Sequence, residues 1–347
     1  MKAVVLHTAR DLRVERFFDD PAAIAAGQVR VRMAAGGICG SDLHYYNHGG
    51  FGVVRVKQPM ALGHEASGTV EAVGEGVTGV KVGDLVAVNP SSPCGACEYC
   101  LRGLQRHCEN MLFNGSAMRF PHVQGLFREV IDVPADRAFV MPAGVRPEFA
   151  AMCEPLSVCL HAVNQAGDIR DQSVLVSGCG PIGILTIVAA KLAGAGRIIA
   201  TDLTPHSLDV AKRHGADVCI NVGAGGDPLA EYKAGRGMLD VAFECSGAAP
   251  AVAGAVMTLR PRGRMVLVGN GGDAAVPVST IVAREINITG TFRFDVEFAE
   301  AARLIGSGAV DMAGIVSAVY PMQDAIAAFE LASDRTRATK VVINLRP

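Results

Sequence analysis

The segment SVLVSGCGPIGILTIVAAKLAGAGRIIATD, residues 173–202, constrains the fold more tightly than any other part of the chain. A short apolar stretch runs into Gly178, Gly180 and Gly183, spaced Gly-x-Gly-x-x-Gly with Pro181 and Ile182 inside the motif, and then into a longer apolar stretch. A glycine triplet alone is weak, because many are only turns. Between a strand and a helix it has a mechanical meaning. The first glycine permits a tight turn, the second lets backbone approach a pyrophosphate, and the third lets the helix pack closely, while the helix N-terminus attracts negative charge. Nineteen residues after Gly183, Asp202 closes the next strand, RIIATD. A carboxylate there accepts hydrogen bonds from both hydroxyls of an adenosine ribose and repels a 2′-phosphate, so the expected cofactor is NAD rather than NADP. The competing role for Asp202 is to cap the next helix, but Thr204 already offers that cap.

The same rhythm continues through PHSLDVAKRHGA as an amphipathic helix, DVCIN and LDVAFECSG as strands, a helix around APAVAGAVMTLR, and GRMVLVGN as a strand. Strands alternating with helices imply a parallel, doubly wound α/β sheet. Upstream, AVVLHT, QVRVRMAAGGI, EASGTVEAVGEGV and GDLVAV are short strands broken by glycines, which suggests an antiparallel, barrel-like β unit. After this sheet come two further helical stretches, VEFAEAARLIGSG and MQDAIAAFELASD, and a last strand, KVVINL. A chain of 347 residues is long for one core, so two domains are expected.

Half the residues are hydrophobic and 19% are charged, a compact globular composition. The net charge of −2 offers no broad positive field, which argues against nucleic acid as a partner. The most apolar region is interrupted by Lys191, several glycines and Arg197, short of the roughly 20 apolar residues a membrane span needs. The opening MKAVVLHTAR is too short in its apolar run for an export signal, so a cytoplasmic location is expected.

Ten cysteines in a reducing compartment should not be paired as disulfides. Six stand apart, where the ordinary role of a cysteine is that of a small buried hydrophobe, whereas Cys94, Cys97, Cys100 and Cys108 form C-x2-C-x2-C-x7-C in a turn-rich, polar stretch. Thiolates so spaced can converge on one tetrahedral Zn²⁺ with no open position, which makes a structural zinc the expectation and a redox or iron–sulfur centre the alternative. A second metal set is suggested by Cys39 before the turn former Gly40, and by His64 and Glu65 after Gly63. One thiolate, one imidazole and one carboxylate leave a coordination vacancy, as catalytic zinc sites do. Spacing alone does not join positions 39 and 64.

GHEASGTVEAVGEGV, the four-cysteine stretch, EPLSV and SGCGPIGIL together resemble the zinc-dependent medium-chain dehydrogenase/reductase superfamily over essentially the whole chain. CGSDLHYY, GHEASG, EPLSV and GTFRF resemble its sorbitol (polyol) dehydrogenase branch, and NPSSPCGACEYC with FNGSAMRFPHVQG is similar to the L-idonate 5-dehydrogenases. The resemblance implies a GroES-like β-rich catalytic domain of residues 1–153 and 291–347, a Rossmann NAD-binding domain of residues 154–290, and an active site in the cleft between them. It implies Cys39 and His64 as ligands of the catalytic zinc, Glu65 as a third ligand, and Glu154 as a ligand acting directly or through water, in preference to its neighbour Cys153. Asp42 would orient His64, Ser41 and His44 would relay a proton through the nicotinamide ribose to solvent, and Tyr45, Arg119 and Arg293 would face the substrate. The implied reaction is hydride transfer from a secondary alcohol of a sugar acid or polyol to NAD, foremost L-idonate to 5-ketogluconate. Sorbitol, xylitol and a threonine-like hydroxy amino acid are the rival substrates. A non-catalytic zinc and dinucleotide-binding protein is the alternative from another class. The implied assembly is a homotetramer, with a homodimer as alternative; the apolar edge strand EINITGTF is compatible with association and also with ordinary pairing inside the fold.

Overall fold

The computed structural model describes residues 1–346 and divides into two compact units. One comprises Met1–Glu154, Phe298–Asp334 and the chain from Lys340 onward; the other comprises Pro155–Glu297 and Arg335–Thr339.

The first unit opens its main sheet with β1 (Gln28–Gly37), β2 (Glu65–Val73), β3 (Leu85–Val88), β4 (Val130–Pro134) and β5 (Ala138–Val140), and helix α1 (Gly40–His48) follows β1 almost directly. Val29, Val31 and Met33 of β1 are buried, while Arg30 faces outward and pairs with Asp132 of β4 at 2.7 Å, directly opposite in the ladder. Beyond Met33 the strand is buried on both faces, in keeping with its small residues AAGG. A smaller sheet of Asp11–Arg16, Lys2–Thr8 and Met60–Ala61 and two short two-stranded ribbons lie in the same half.

The second unit contains α2 (Cys153–Ala166) from its third residue on, then β6 (Ser173–Ser177), α3 (Pro181–Leu192), β7 (Arg197–Asp202), α4 (Pro205–Arg213), β8 (Val218–Asn221), β9 (Leu239–Glu244), α5 (Ala249–Thr258), β10 (Leu259–Leu267) and β11 (Asn287–Gly290). The strand order is β8-β7-β6-β9-β10-β11 and every pairing is parallel. Helices cover both faces of such a sheet, which is why all of β9 and nearly all of β6 are buried. The order reverses between β6 and β9, where open α/β sheets bind their ligands beyond the strand ends. The stretch EINITGTF supplies β11 at the sheet edge.

The chain returns through α6 (Glu297–Gly306), β12 (Val316–Pro321), α7 (Ala325–Ser333) and β13 (Lys340–Asn344). These strands extend the first sheet to the order β5-β3-β2-β1-β13-β12, with β4 also on β1. The β12–β13 pair is parallel, unlike the antiparallel pairing expected of this half, because a helix between two strands carries the chain back to the same end. No helix among the described residues is long and apolar enough to cross a membrane.

The segment up to Glu297 belongs with the second unit, several residues beyond the boundary expected from sequence. The buried Glu297 carboxylate lies 2.8 Å from His161 Nδ1 and accepts from Asn164 Nδ2 at 3.1 Å and the Asp295 backbone N–H at 2.9 Å. Burial would raise the carboxyl pKa, but these hydrogen bonds outweigh it and hold it down to about 2, from an ordinary 4.5. A depressed carboxylate stabilises the fold above its unfolded pKa, and that contribution is lost as pH falls through the folded value. Glu297→Gln should therefore lower stability at neutral pH by about 1–3 kcal/mol. In thermal unfolding scans its deficit against wild type should shrink as pH falls from about 4.5 towards 2.

Candidate active site

The β1–β2 ladder joins what sequence spacing leaves apart. Gly37 of β1 sits opposite Glu65 of β2, so Cys39, two residues past Gly37, meets His64, one residue before Glu65. The Cys39 sulfur, a His64 ring nitrogen and a Glu65 carboxylate oxygen all lie within 4.8 Å of one another. Thiolate, imidazole and carboxylate are the donor types zinc takes, and three of them leave one tetrahedral position open. Phe113 packs its ring 5.7 Å from that of His64 and gives the set an apolar wall.

Asp42 holds the two chain segments in register. Fully buried, it accepts from the Cys39 backbone N–H at 3.0 Å and from that of Gly63 at 3.1 Å, and its Oδ1 lies 3.8 Å from His64 Nδ1. Asp42 is the third residue of α1, so the carboxylate also caps the N-terminus from which Cys39 projects. Burial raises its pKa against the opposing pull of His64 and the two N–H groups. For His64, burial disfavours the charged ring, yet Cys39, Asp42 and Glu154 together keep its pKa well above the ordinary value. Glu154, in the first turn of α2, is thus close enough to act on His64 while standing outside the three-residue set. Burial pushes up the thiol of neighbouring Cys153, which is also outside the set.

Glu65 is fully buried and held by Lys340, the first residue of β13, whose Nζ donates to both carboxylate oxygens at 2.8 and 2.7 Å and to the Ile38 carbonyl at 3.0 Å. Gly37 makes room for this arrangement, since a Cβ there would stand 2.2 Å from Glu65 Oε2.

The four cysteines Cys94, Cys97, Cys100 and Cys108 form a second set within the same distance limit, none of them in a disulfide. The helical turn Glu98–Leu101 carries Cys100, and the Cys94 backbone N–H donates to the Cys108 sulfur at 3.2 Å. Backbone N–H groups of Ala96 and Cys97 lower the Cys94 pKa to about 6, whereas burial pushes Cys100 up to about 12.

The glycine motif has the geometry its spacing implies. Gly178 has φ +89, and a Cβ there would come within 2.8 Å of Ser246. Beside Gly180 there is open space. A Cβ on Gly183 would stand 1.8 Å from the Gly178 carbonyl oxygen, so only glycine lets α3 sit this close to the turn. Pro181 occupies the first turn of α3, and the Ile182 carbonyl accepts from Thr186 Oγ1 at 2.8 Å and the Cys159 thiol at 3.3 Å. Asp202 ends β7 half-exposed, accepting from the Cys179 N–H at 2.7 Å and the Thr204 N–H at 2.9 Å, while Thr204 is the residue that caps α4.

The alcohol dehydrogenase GroES-like domain model matches residues 25–143, and the zinc-binding dehydrogenase model matches residues 181–307. Among curated proteins, the chain is 41% identical to L-idonate 5-dehydrogenase (NAD(P)(+)) of Escherichia coli (strain K12) over 312 residues, covering 90% of each chain. It is 36% identical to sorbitol dehydrogenase of Bacillus subtilis (strain 168), covering 96% of this chain and 93% of that one. The crystal structure of the Escherichia coli L-idonate 5-dehydrogenase superposes with a TM-score of 0.94 at 38% identity, covering 99% of this chain and 97% of that one. The chain belongs to the zinc-dependent medium-chain dehydrogenases. It is an enzyme of the polyol and sugar-acid branch, and its cofactors are zinc and a nicotinamide dinucleotide.

In this dehydrogenase the remaining candidates are dispersed. Ser41 and His44 lie on α1, half-buried and exposed respectively, with His44 packed 5.9 Å from the ring of Phe51. Tyr45 is buried, and its hydroxyl accepts from the Ala117 N–H at 3.1 Å, pinning the loop that carries exposed Arg119. Arg119 donates to the Asn110 carbonyl at 3.0 Å, beside the four-cysteine lobe. Arg293 falls in the second unit, half-buried with φ +51 and its guanidinium 4.8 Å from the ring centre of Phe292.

Sequence reasoning missed Lys340 and Glu244. A lysine opening the strand KVVIN, directly before three buried apolar residues, was the available signal for the first. Glu244, buried at the end of β9, accepts from the Ser246 and Gly247 N–H groups at 2.9 Å each and so shapes the loop that abuts Gly178. Nothing local in LDVAFECSG marks it. Gly37→Ala should force the Glu65 carboxylate from its place and cost about 1–3 kcal/mol, read as a lower urea midpoint with an unchanged slope.

Proposed function

We propose that this protein oxidises a secondary alcohol of a sugar acid or polyol with NAD, foremost L-idonate to 5-ketogluconate. The convergence of Cys39, His64 and Glu65 with one coordination position left over carries this reading. Zinc held there would supply Lewis acidity to a substrate oxygen, and a bound nicotinamide dinucleotide would supply the hydride acceptor.

The chain's own residues do the rest. Asp42, near one ring nitrogen of His64, orients the imidazole so that the other faces the set. Glu154 is the nearby carboxylate available as a further ligand, directly or through water. Ser41 and His44 conduct the released proton outward along α1, towards the exposed side that His44 occupies. The four-cysteine set holds a structural zinc, with no position open for substrate. In the nucleotide site, Gly178, Gly180, Pro181, Ile182 and Gly183 receive the pyrophosphate at the start of α3, and Asp202 takes the adenosine ribose hydroxyls.

The preference for idonate is supported by the relative of that name. A guanidinium such as that of Arg119 or Arg293 can hold a sugar-acid carboxylate with paired hydrogen bonds and can equally bond polyol hydroxyls, so the arginines serve either substrate. Tyr45 is the substrate-side aromatic in this scheme. Sorbitol is the second reading, favoured by the sorbitol dehydrogenase similarity over nearly the whole chain. A cytoplasmic homotetramer is part of the same reading, with a dimer as alternative; the exposed edge of β11 is compatible with either.

NADH formation on idonate, gluconate, sorbitol, xylitol and threonine separates the substrates, and idonate should give the highest kcat/KM. Cys39→Ala should abolish that turnover and remove zinc from one of the two sets while the four-cysteine set keeps its own. Unchanged turnover would refute the metal site. Asp202→Ala should weaken use of NAD by roughly tenfold and raise use of NADP, measured as the ratio of kcat/KM values for the two cofactors.

A further inference from the structure

Lys340 is 2% exposed, a burial lysines rarely show without a specific partner. Its position is fixed by backbone, because β13 pairs with β1 through Val342 opposite Gly37. Its ammonium protons are spent on Glu65 Oε1, Glu65 Oε2 and the carbonyl of Ile38, the residue before Cys39. The cation therefore has no donor left for water and no freedom to turn away. The carboxylate it grips is the one that converges with Cys39 and His64.

We propose that Lys340 is a positioning residue that competes with the metal for Glu65 and makes this carboxylate the weakly held, exchangeable member of the set. The proposal rests on the reading of Cys39, His64 and Glu65 as a zinc site. A divalent ion and an ammonium sharing one carboxylate repel each other, and in a buried site that repulsion is poorly screened. Orientation acts the other way: a carboxylate deprived of its hydrogen-bond partner is less well aimed at the metal. Here charge outweighs aim, because Glu65 is already confined by the ladder and by the close approach of Gly37.

The test is zinc affinity, measured by competition with a chromophoric chelator on the full-length protein at mildly alkaline pH, with Cys39→Ala identifying which bound ion belongs to this set. Lys340→Met removes the charge. Lys340→Gln also removes it but keeps an amide donor for Glu65, so it serves if the methionine variant does not fold. Either should bind zinc at this set about tenfold more tightly or better, the low end of what outer partners of metal ligands are worth. Lys340→Arg should restore wild-type affinity, and in a Glu65→Gln background the loss of the lysine should change affinity less than about twofold. Unchanged or weaker binding, or an equal gain without the Glu65 carboxylate, would overturn the competition. If wild-type protein holds zinc only in the four-cysteine set, the metal-site reading itself fails instead.

Discussion

The antiparallel ladder between β1 and β2 is the constraint on which the candidate active site depends. Placing Gly37 opposite Glu65 brings together residues that neither helical nor strand periodicity would connect. A slip of one residue would turn Glu65 to the other face of the sheet and separate it from Cys39. Asp42 reinforces the same register from the side by bridging the backbones of Cys39 and Gly63. Glycine-rich ends on both strands are needed because a side chain at Gly37 would collide with the carboxylate, and one at Gly63 with the ring of Phe127.

The two units answer different physical demands. The nucleotide half achieves precision with backbone: three glycines, a helix start and one carboxylate at a strand end, all within thirty residues of sequence. The metal half achieves it with buried charge. Asp42, His64, Glu65, Glu154 and Lys340 are all buried there, an arrangement that is stable only when each charge has a partner. Breaking one such pair leaves an uncompensated charge and typically costs about 3–5 kcal/mol.

What could be read from sequence follows from this division. The strand, glycine turn, helix and Asp202 are local, so their meaning is contained in a short window, and the turn cap at Thr204 was visible for the same reason. The cysteine spacing was equally local. Cys39 and His64 as partners, by contrast, required either the ladder or a family resemblance. Lys340 lies 275 positions from the carboxylate it holds and was invisible for that reason. The parallel β12–β13 pair and the placement of Glu297 with α2 likewise depend on contacts between distant parts of the chain.

The four-cysteine lobe is built differently from everything around it. Its buried core consists of two of the cysteines with Met111 and Phe113, which is too little apolar surface to hold a loop of this length closed. Cohesion there must come from the sulfurs and whatever links them. With zinc held there as proposed, the integrity of residues 94–108 would be tied to metal supply rather than to the hydrophobic effect. On that reading, a chain starved of zinc would open this lobe to proteases, whereas the two main sheets rest on their own ladders and apolar cores.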